Sequence, residues 1–320
     1  MHARSTPDHK PPAVSEQSLP STSRLALTFL FALARRTPRP LRLLRPLGVH
    51  LTLLGSQKVR QATRANAKRI LGPTSTPAQQ KQLAKQVIAN FFDFVIDVAT
   101  AAHATPEQLR NKIESVQGRD QYFETRKSNR GAIIVTAHLG SFEVGLAMLT
   151  QVEPHVHVVF KRDQQTGFES QRRALRQNLG VQEAPVDEGW DTWLALRDAL
   201  ADNQVVVMQA DRALPGQRAQ SVPFLHGHLR LPLGPLTLAQ LSGSPLIPVF
   251  AIKLENGQSR LFAEAPIHVD PNAKPIDGIH PALHQLAKVL EKFIAQYPEQ
   301  WLILEPAFVE DTAQLRGSPQ

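Results

Sequence analysis

The chain has no cysteine. That excludes disulfide bridges, zinc–thiolate centres and a cysteine nucleophile; it suits a reducing compartment but is compatible with any. Acidic residues are missing from Gln17 to Asn90, a stretch that holds thirteen Lys and Arg, so the remainder is net acidic although the whole chain carries +8. No Gly-x-Ser-x-Gly elbow is present, which argues against an α/β-hydrolase. Neither a Walker sequence nor Gly-x-Gly-x-x-Gly occurs, so nucleotide binding has no support. No internal repeat is visible.

The acid-free stretch contains Leu25-Ala-Leu-Thr-Phe-Leu-Phe-Ala-Leu-Ala34, followed at once by Arg35, Arg36, Arg39, Arg42 and Arg45. Ten apolar residues are half of the roughly twenty that a membrane-spanning helix needs. They are enough to lie among lipid headgroups while the arginines meet anionic lipid, each contributing about 1 kcal/mol near the surface. A transit peptide would share the Arg-rich, acid-poor character, but the basic pattern continues to Arg69 through what reads as folded helix. Nucleic acid is not an expected partner, because no aromatic platform is interleaved with the arginines. The alternative to an anionic membrane surface is a solvated basic face. Residues 1–23, polar and rich in Pro and Ser, read as a disordered tail and not as a secretory signal.

The breakers Pro38, Pro40 and Pro46 divide residues 24 to about 70 into short basic helices. Thr76-Pro-Ala opens a longer helix through Gln79 to Ala102, with Leu83, Val87, Phe91, Phe92, Val95 and Val98 on one face. From Gly131 onward, strand candidates at 132–137, 155–160, 205–210, 246–252 and 260–265 alternate with helical segments. They are Val/Ile-rich without clean alternation, as expected where helices cover both faces. The predicted fold class is therefore α/β, a mostly parallel twisted sheet flanked by helices with a basic helical N-terminal extension. The expected division is a tail (1–23), a helical membrane-associating region (24–130), the α/β core (131–310) and a tail (311–320).

Chemistry concentrates in Gly131-Ala-Ile-Ile-Val-Thr-Ala-His138-Leu-Gly-Ser-Phe-Glu143, an apolar strand that delivers a histidine and a carboxylate to its end, where α/β proteins keep their sites. An imidazole is the side chain best poised to take a proton near neutral pH, and a carboxylate in reach fixes its tautomer. His138 and Glu143 can meet if Leu139-Gly140-Ser141 forms a turn before the next helix. The competing reading is that His138 merely ends the strand and Glu143 is a favourable anion in the first helical turn.

The spacing His138-x4-Glu143 resembles the first signature of the glycerolipid and lysophospholipid acyltransferase superfamily, and the wording His138-Leu-Gly-Ser-Phe-Glu143 is most similar to its bacterial branch that adds late acyl chains to lipid A. Further blocks follow in that family's order: His155-Val-His-Val-Val-Phe160 with Lys161-Arg162, Arg176 four residues before Gly180, Val205-Val-Val-Met-Gln-Ala-Asp211, Val222-Pro-Phe-Leu-His-Gly227, Gly234-Pro-Leu-Thr-Leu-Ala239 and Ser244-Pro-Leu-Ile-Pro-Val-Phe250. Together they cover about residues 25 to 305. The resemblance implies transfer of an acyl group from a thioester on acyl carrier protein or coenzyme A to a hydroxyl of a lipid acceptor. It implies His138 as general base, Glu143 holding the ring, no acyl-enzyme, and no metal or other cofactor. It also implies a peripheral or monotopic place on the cytoplasmic face of the inner membrane.

Lys161, Arg162 and Arg176 are then candidates for a phosphate of either substrate or for the oxyanion, as are backbone N–H groups in the turn after His138; the other reading makes the cations ordinary surface charges. Asp211 and Arg212 are further substrate-binding candidates, with Asp211 expected to orient a basic residue or the acceptor. The segment 232–239 either lines an acyl channel or packs in the core. Three features depart from the family pattern. Tyr297-Pro-Glu-Gln-Trp301 is followed by Leu302-Ile-Leu-Glu305-Pro306 where a His-Arg-Arg cluster is usual, Asp211-Arg212 stands for Asp-Gln, and the N-terminal membrane span is shortened. They bear on the acceptor, be it a lipid A precursor, another glycolipid or a lysophospholipid, more than on the chemistry. With water as acceptor the same site is a thioesterase, and a non-enzymatic membrane-surface protein is the third class. His226-Gly-His228 and His280-x3-His284 have metal-compatible spacings but read as loop and surface histidines. Trp190 and Trp193 read as partly buried packing residues, and Asp187-Glu188 as a solvated face.

Overall fold

The computed structural model describes residues 38–161, 166–186, 189–214 and 216–316. The expectations for residues 1–37, including the tail and the apolar run at 25–34, lie outside them, as do Arg162 and Asp187-Glu188. Three basic helices open the described chain, α1 (Pro38–Leu43), α2 (Arg45–Gly55) and α3 (Gln57–Leu71). Pro46 occupies the first turn of α2, where a missing N–H costs nothing, so it starts a helix as readily as it ends one. The long helix α4 (Pro77–Ala101) begins at a capping box: Gln79 N–H donates to Thr76 Oγ1 at 3.3 Å, and Thr76 N–H donates to Gln79 Oε1 at 2.8 Å.

The strands β1 (Ile113–Gln117), β2 (Ala132–Thr136), β3 (Val156–Phe160), β4 (Gln182–Pro185), β5 (Val205–Gln209), β8 (Leu246–Lys253) and β9 (Ser259–Ala263) form one sheet in the order β1-β9-β8-β2-β5-β3-β4. Every pairing is parallel except β8 with β9. The strands β6 (Ala219–Phe224) and β7 (Gly227–Pro232) make a separate antiparallel hairpin. The α/β class is as the sequence predicts, but the sheet takes its first strand from upstream of Gly131, and residues 309–316 form a helix where a tail was expected.

Alternate residues of the central strands feed two apolar cores. Ile133, Val135, Val206 and Met208 pack with α3, α4 and the helices Trp190–Ala201, Gly234–Ser242 and Pro281–Gln296. Ile134, Val205 and Val207 pack with Leu109, Leu146 and Leu175 on the other face. Helices on both faces explain why these strands read as continuous Val/Ile runs. The segment 232–239 belongs to the first core, with Leu236, Leu238 and Ala239 buried in it.

Candidate active site

Strands β2 and β5 lie side by side in register, Thr136 opposite Gln209, and Ala210 N–H donates to Thr136 O at 2.8 Å. Two residues beyond that last pair, the register brings His138 against Asp211. His138 Nδ1 is 2.8 Å from Asp211 Oδ1, the His138 backbone N–H donates to Oδ2 at 3.1 Å, and Trp301 Nε1–H donates to the same Oδ2 at 2.8 Å. Asp211 is fully buried and the imidazole is partly exposed. Burial opposes ionisation of Asp211, but the charge and hydrogen bonds of His138 and the indole N–H of Trp301 outweigh it and hold the carboxyl below its usual range. An ionised Asp211 fixes the proton on Nδ1 and leaves Nε2 as the basic nitrogen.

Glu143 therefore does not hold the ring, because Asp211 occupies Nδ1. The turn expected between them does form. Gly140 has φ +69°, and a Cβ there would sit 2.0 Å from Ala251 O, so only glycine fits. The turn leads into a helix (Phe142–Val152) whose first turn carries Glu143, buried at 5% exposure. Burial pushes that carboxyl up to about 7, helped by Asp97 and opposed by its own backbone hydrogen bond, Arg172 and Lys112. Glu143 lines a polar pocket of about 550 Å³ together with Arg42, Asp97, Lys253 and Gln300. Thr136, Phe142, Leu146, Met148 and Val249 line a separate apolar cavity of about 90 Å³.

Two of the turn's N–H groups are in use, Gly140 donating to Gln300 O at 3.2 Å and Ser141 to Ala251 O at 2.7 Å, so these two are not free oxyanion donors. Arg176 is 4% exposed and spent internally, on Glu169 at 2.5 Å, on Glu183 at 2.7 Å and over the Phe160 ring at 4.0 Å, so it is a packing cation and not a substrate ligand. Lys161 is exposed at the end of β3. Arg212 reaches Glu305 at 3.1 Å. Trp301 is fully buried against Asp211, and its one signal in the sequence is its place in the block 297–301. Trp190 is 80% exposed, against expectation, while Trp193 packs on Gly234. His228 pairs with Glu310 at 2.8 Å, His280 caps a helix by accepting from Ala282 N–H, and His284 bonds Ile276 O.

This arrangement defines a histidine–carboxylate centre at the carboxyl ends of two adjacent parallel strands, beside an apolar cavity. The chain belongs to the bacterial lipid A biosynthesis acyltransferase family, whose model matches residues 21–309. It is similar to the phosphatidylinositol mannoside acyltransferase of Mycolicibacterium smegmatis, 26% identical over 199 residues, which are 62% of this chain and 63% of that protein, under two thirds of its length. It is also similar to the protein of the same name from Mycobacterium tuberculosis, 23% identical over 256 residues, 79% of this chain and 78% of the relative.

Proposed function

We propose that the chain is an O-acyltransferase that moves a fatty acyl group from a thioester of acyl carrier protein or coenzyme A to a hydroxyl of a membrane glycolipid, with His138 as general base. The observation that carries this reading is the 2.8 Å contact of His138 Nδ1 with fully buried Asp211. Nε2 takes the acceptor proton as the hydroxyl oxygen attacks the thioester carbonyl. The tetrahedral intermediate then expels the thiolate, which takes up the proton from the imidazolium. Asp211 stabilises the imidazolium between the two steps. The apolar cavity receives the end of the acyl chain; about 90 Å³ is a fraction of a long chain, so flexible Met148 moves aside. The family's acceptor and the relatives' names both point to a glycolipid that carries phosphate.

Support for a membrane surface comes from α1 and α2, where Leu43, Leu47, Leu51 and Leu54 are 81, 54, 58 and 67% exposed, beside Arg42 and Arg45, which pair with Asp97 and Asp93. Among the described residues no helix is long and apolar enough to cross a membrane, and a leucine ridge flanked by arginine suits peripheral docking on the cytoplasmic face of the inner membrane. The deciding experiment supplies labelled acyl carrier protein and labelled acyl-coenzyme A to a total lipid extract, with wild type and His138→Ala. A labelled lipid that vanishes in the variant is expected. Free fatty acid with no labelled lipid would replace the reading with a thioesterase.

A further inference from the structure

Two of the sequence's departures from the family pattern are partners in space. Arg212, in place of an amide, and Glu305, in place of a basic cluster, form one ion pair across 93 residues, Nη1 to Oε2 at 3.1 Å. The pair makes little sense as a structural brace. Glu305 is 71% exposed, and an exposed pair of this kind adds little stability. Among the described residues the buried Arg212 Nε–H meets no hydrogen-bond partner, which costs free energy wherever a donor is left unpaired.

Position gives the arrangement a purpose. Arg212 follows Asp211, which holds His138, and Glu305 lies four residues beyond Trp301, which donates to Asp211. The Glu305 backbone is pinned, its carbonyl accepting from Asn66 Nδ2 at 2.8 Å, while its carboxylate reaches into solvent. A guanidinium whose recorded partner is mostly solvated can exchange that partner for a phosphate oxygen.

We propose that Arg212 binds a phosphate ester of a substrate at the catalytic edge, and that Glu305 is the displaceable counterion that holds the site closed until the phosphate arrives. Rotation of the Glu305 side chain frees Nη1 to donate to a phosphate oxygen. The site itself stands on the geometry of Arg212; which substrate supplies the phosphate rests on the acyltransferase reading.

Inorganic phosphate is titrated first, by ³¹P line broadening, into wild type, R212Q, E305Q and a charge control, E124Q, which neutralises an acid in an exposed pair elsewhere. E305Q should bind roughly tenfold tighter than wild type, the scale of one charge-assisted hydrogen bond, R212Q should show no saturable binding, and E124Q should match wild type. Equal binding by all four, or E305Q tracking E124Q, overturns the proposal, and near-ultraviolet dichroism confirms that R212Q is folded. The second arm measures KM with acyl-coenzyme A against S-acyl pantetheine, and with a phosphate-bearing glycolipid against its phosphate-free glycoside. R212Q should lose one of these two preferences, and the one lost identifies donor or acceptor as the source; retention of both overturns the proposal. A wild type that transfers no acyl group refutes the acyltransferase reading, while the phosphate titration still decides the site.

Discussion

Asp211 and Glu143 are both buried carboxyls at the same end of the sheet, within a few residues of the same histidine turn, yet they sit in opposite electrostatic states. Asp211 receives three hydrogen bonds and stays ionised. Glu143 is desolvated with Asp97 for company, and its carboxyl titrates near neutrality. Burial opposes the charge on both and prevails at Glu143, whereas the donors aimed at the Asp211 oxygens reverse it there. Two carboxyls with diverging affinities for protons can take different parts in one reaction, so the nearer one in sequence is not automatically the partner of the base.

The sharpest way to break the comparison is Asp211→Asn, which keeps the shape but removes the charge and reverses the tautomer preference. Turnover should fall about 10³- to 10⁴-fold with the fold intact, read as initial rate in the acyl-transfer assay; a loss below tenfold would mean that Glu143 does the orienting after all. Gly140→Ala attacks the turn that separates the two carboxyls. Its Cβ has no room beside Ala251 O, and a loss of about 2–4 kcal/mol is expected in urea unfolding.

Glu143→Gln tests the other half through pH. The folded protein keeps a proton on Glu143 that the unfolded chain gives up between 4.5 and about 7, so wild-type stability should fall as pH rises through that window, by up to about 1.4 kcal/mol per unit. The Gln variant should lack this decline, and unfolding curves at pH 5 and 8 measure it. Asp211 works in the other direction: its contribution is present above 3.8 and lost as pH falls below it. The smallest effect is expected from Trp301→Phe, which removes one donor from Asp211. About 1 kcal/mol of stability should go with it, together with an upward move of the acid-side midpoint of unfolding.

Much of this fold was legible because local chemistry dictated it. Thr76 and Gln79 announced the start of the long helix, and the runs at 132–137, 155–160, 205–210, 246–252 and 260–265 announced strands that form within two residues of those bounds. The strands that escaped are Ile113–Gln117 and Gln182–Pro185, short segments at the two edges of the sheet with too few β-branched residues to stand out. The hairpin was hidden too, since Leu225 takes φ +49° in its two-residue turn without glycine or asparagine to mark it. The pairing of His138 with Asp211 was out of reach for a different reason. Each residue was noticed, but strand order is not written along the chain, and only the adjacency of β2 and β5 converts a separation of 73 residues into 2.8 Å.

One amide deserves a mechanical description. The Asn66 side chain, buried in the third basic helix, donates to Ile303 O and Glu305 O and accepts from Ala307 N–H. It stitches that helix to the strip of chain that braces Trp301. The leucine ridge, through its helices, and the imidazole are thereby parts of a single stiff bracket. Under the proposed docking of the leucine ridge, that link would fix the height of the imidazole above the surface.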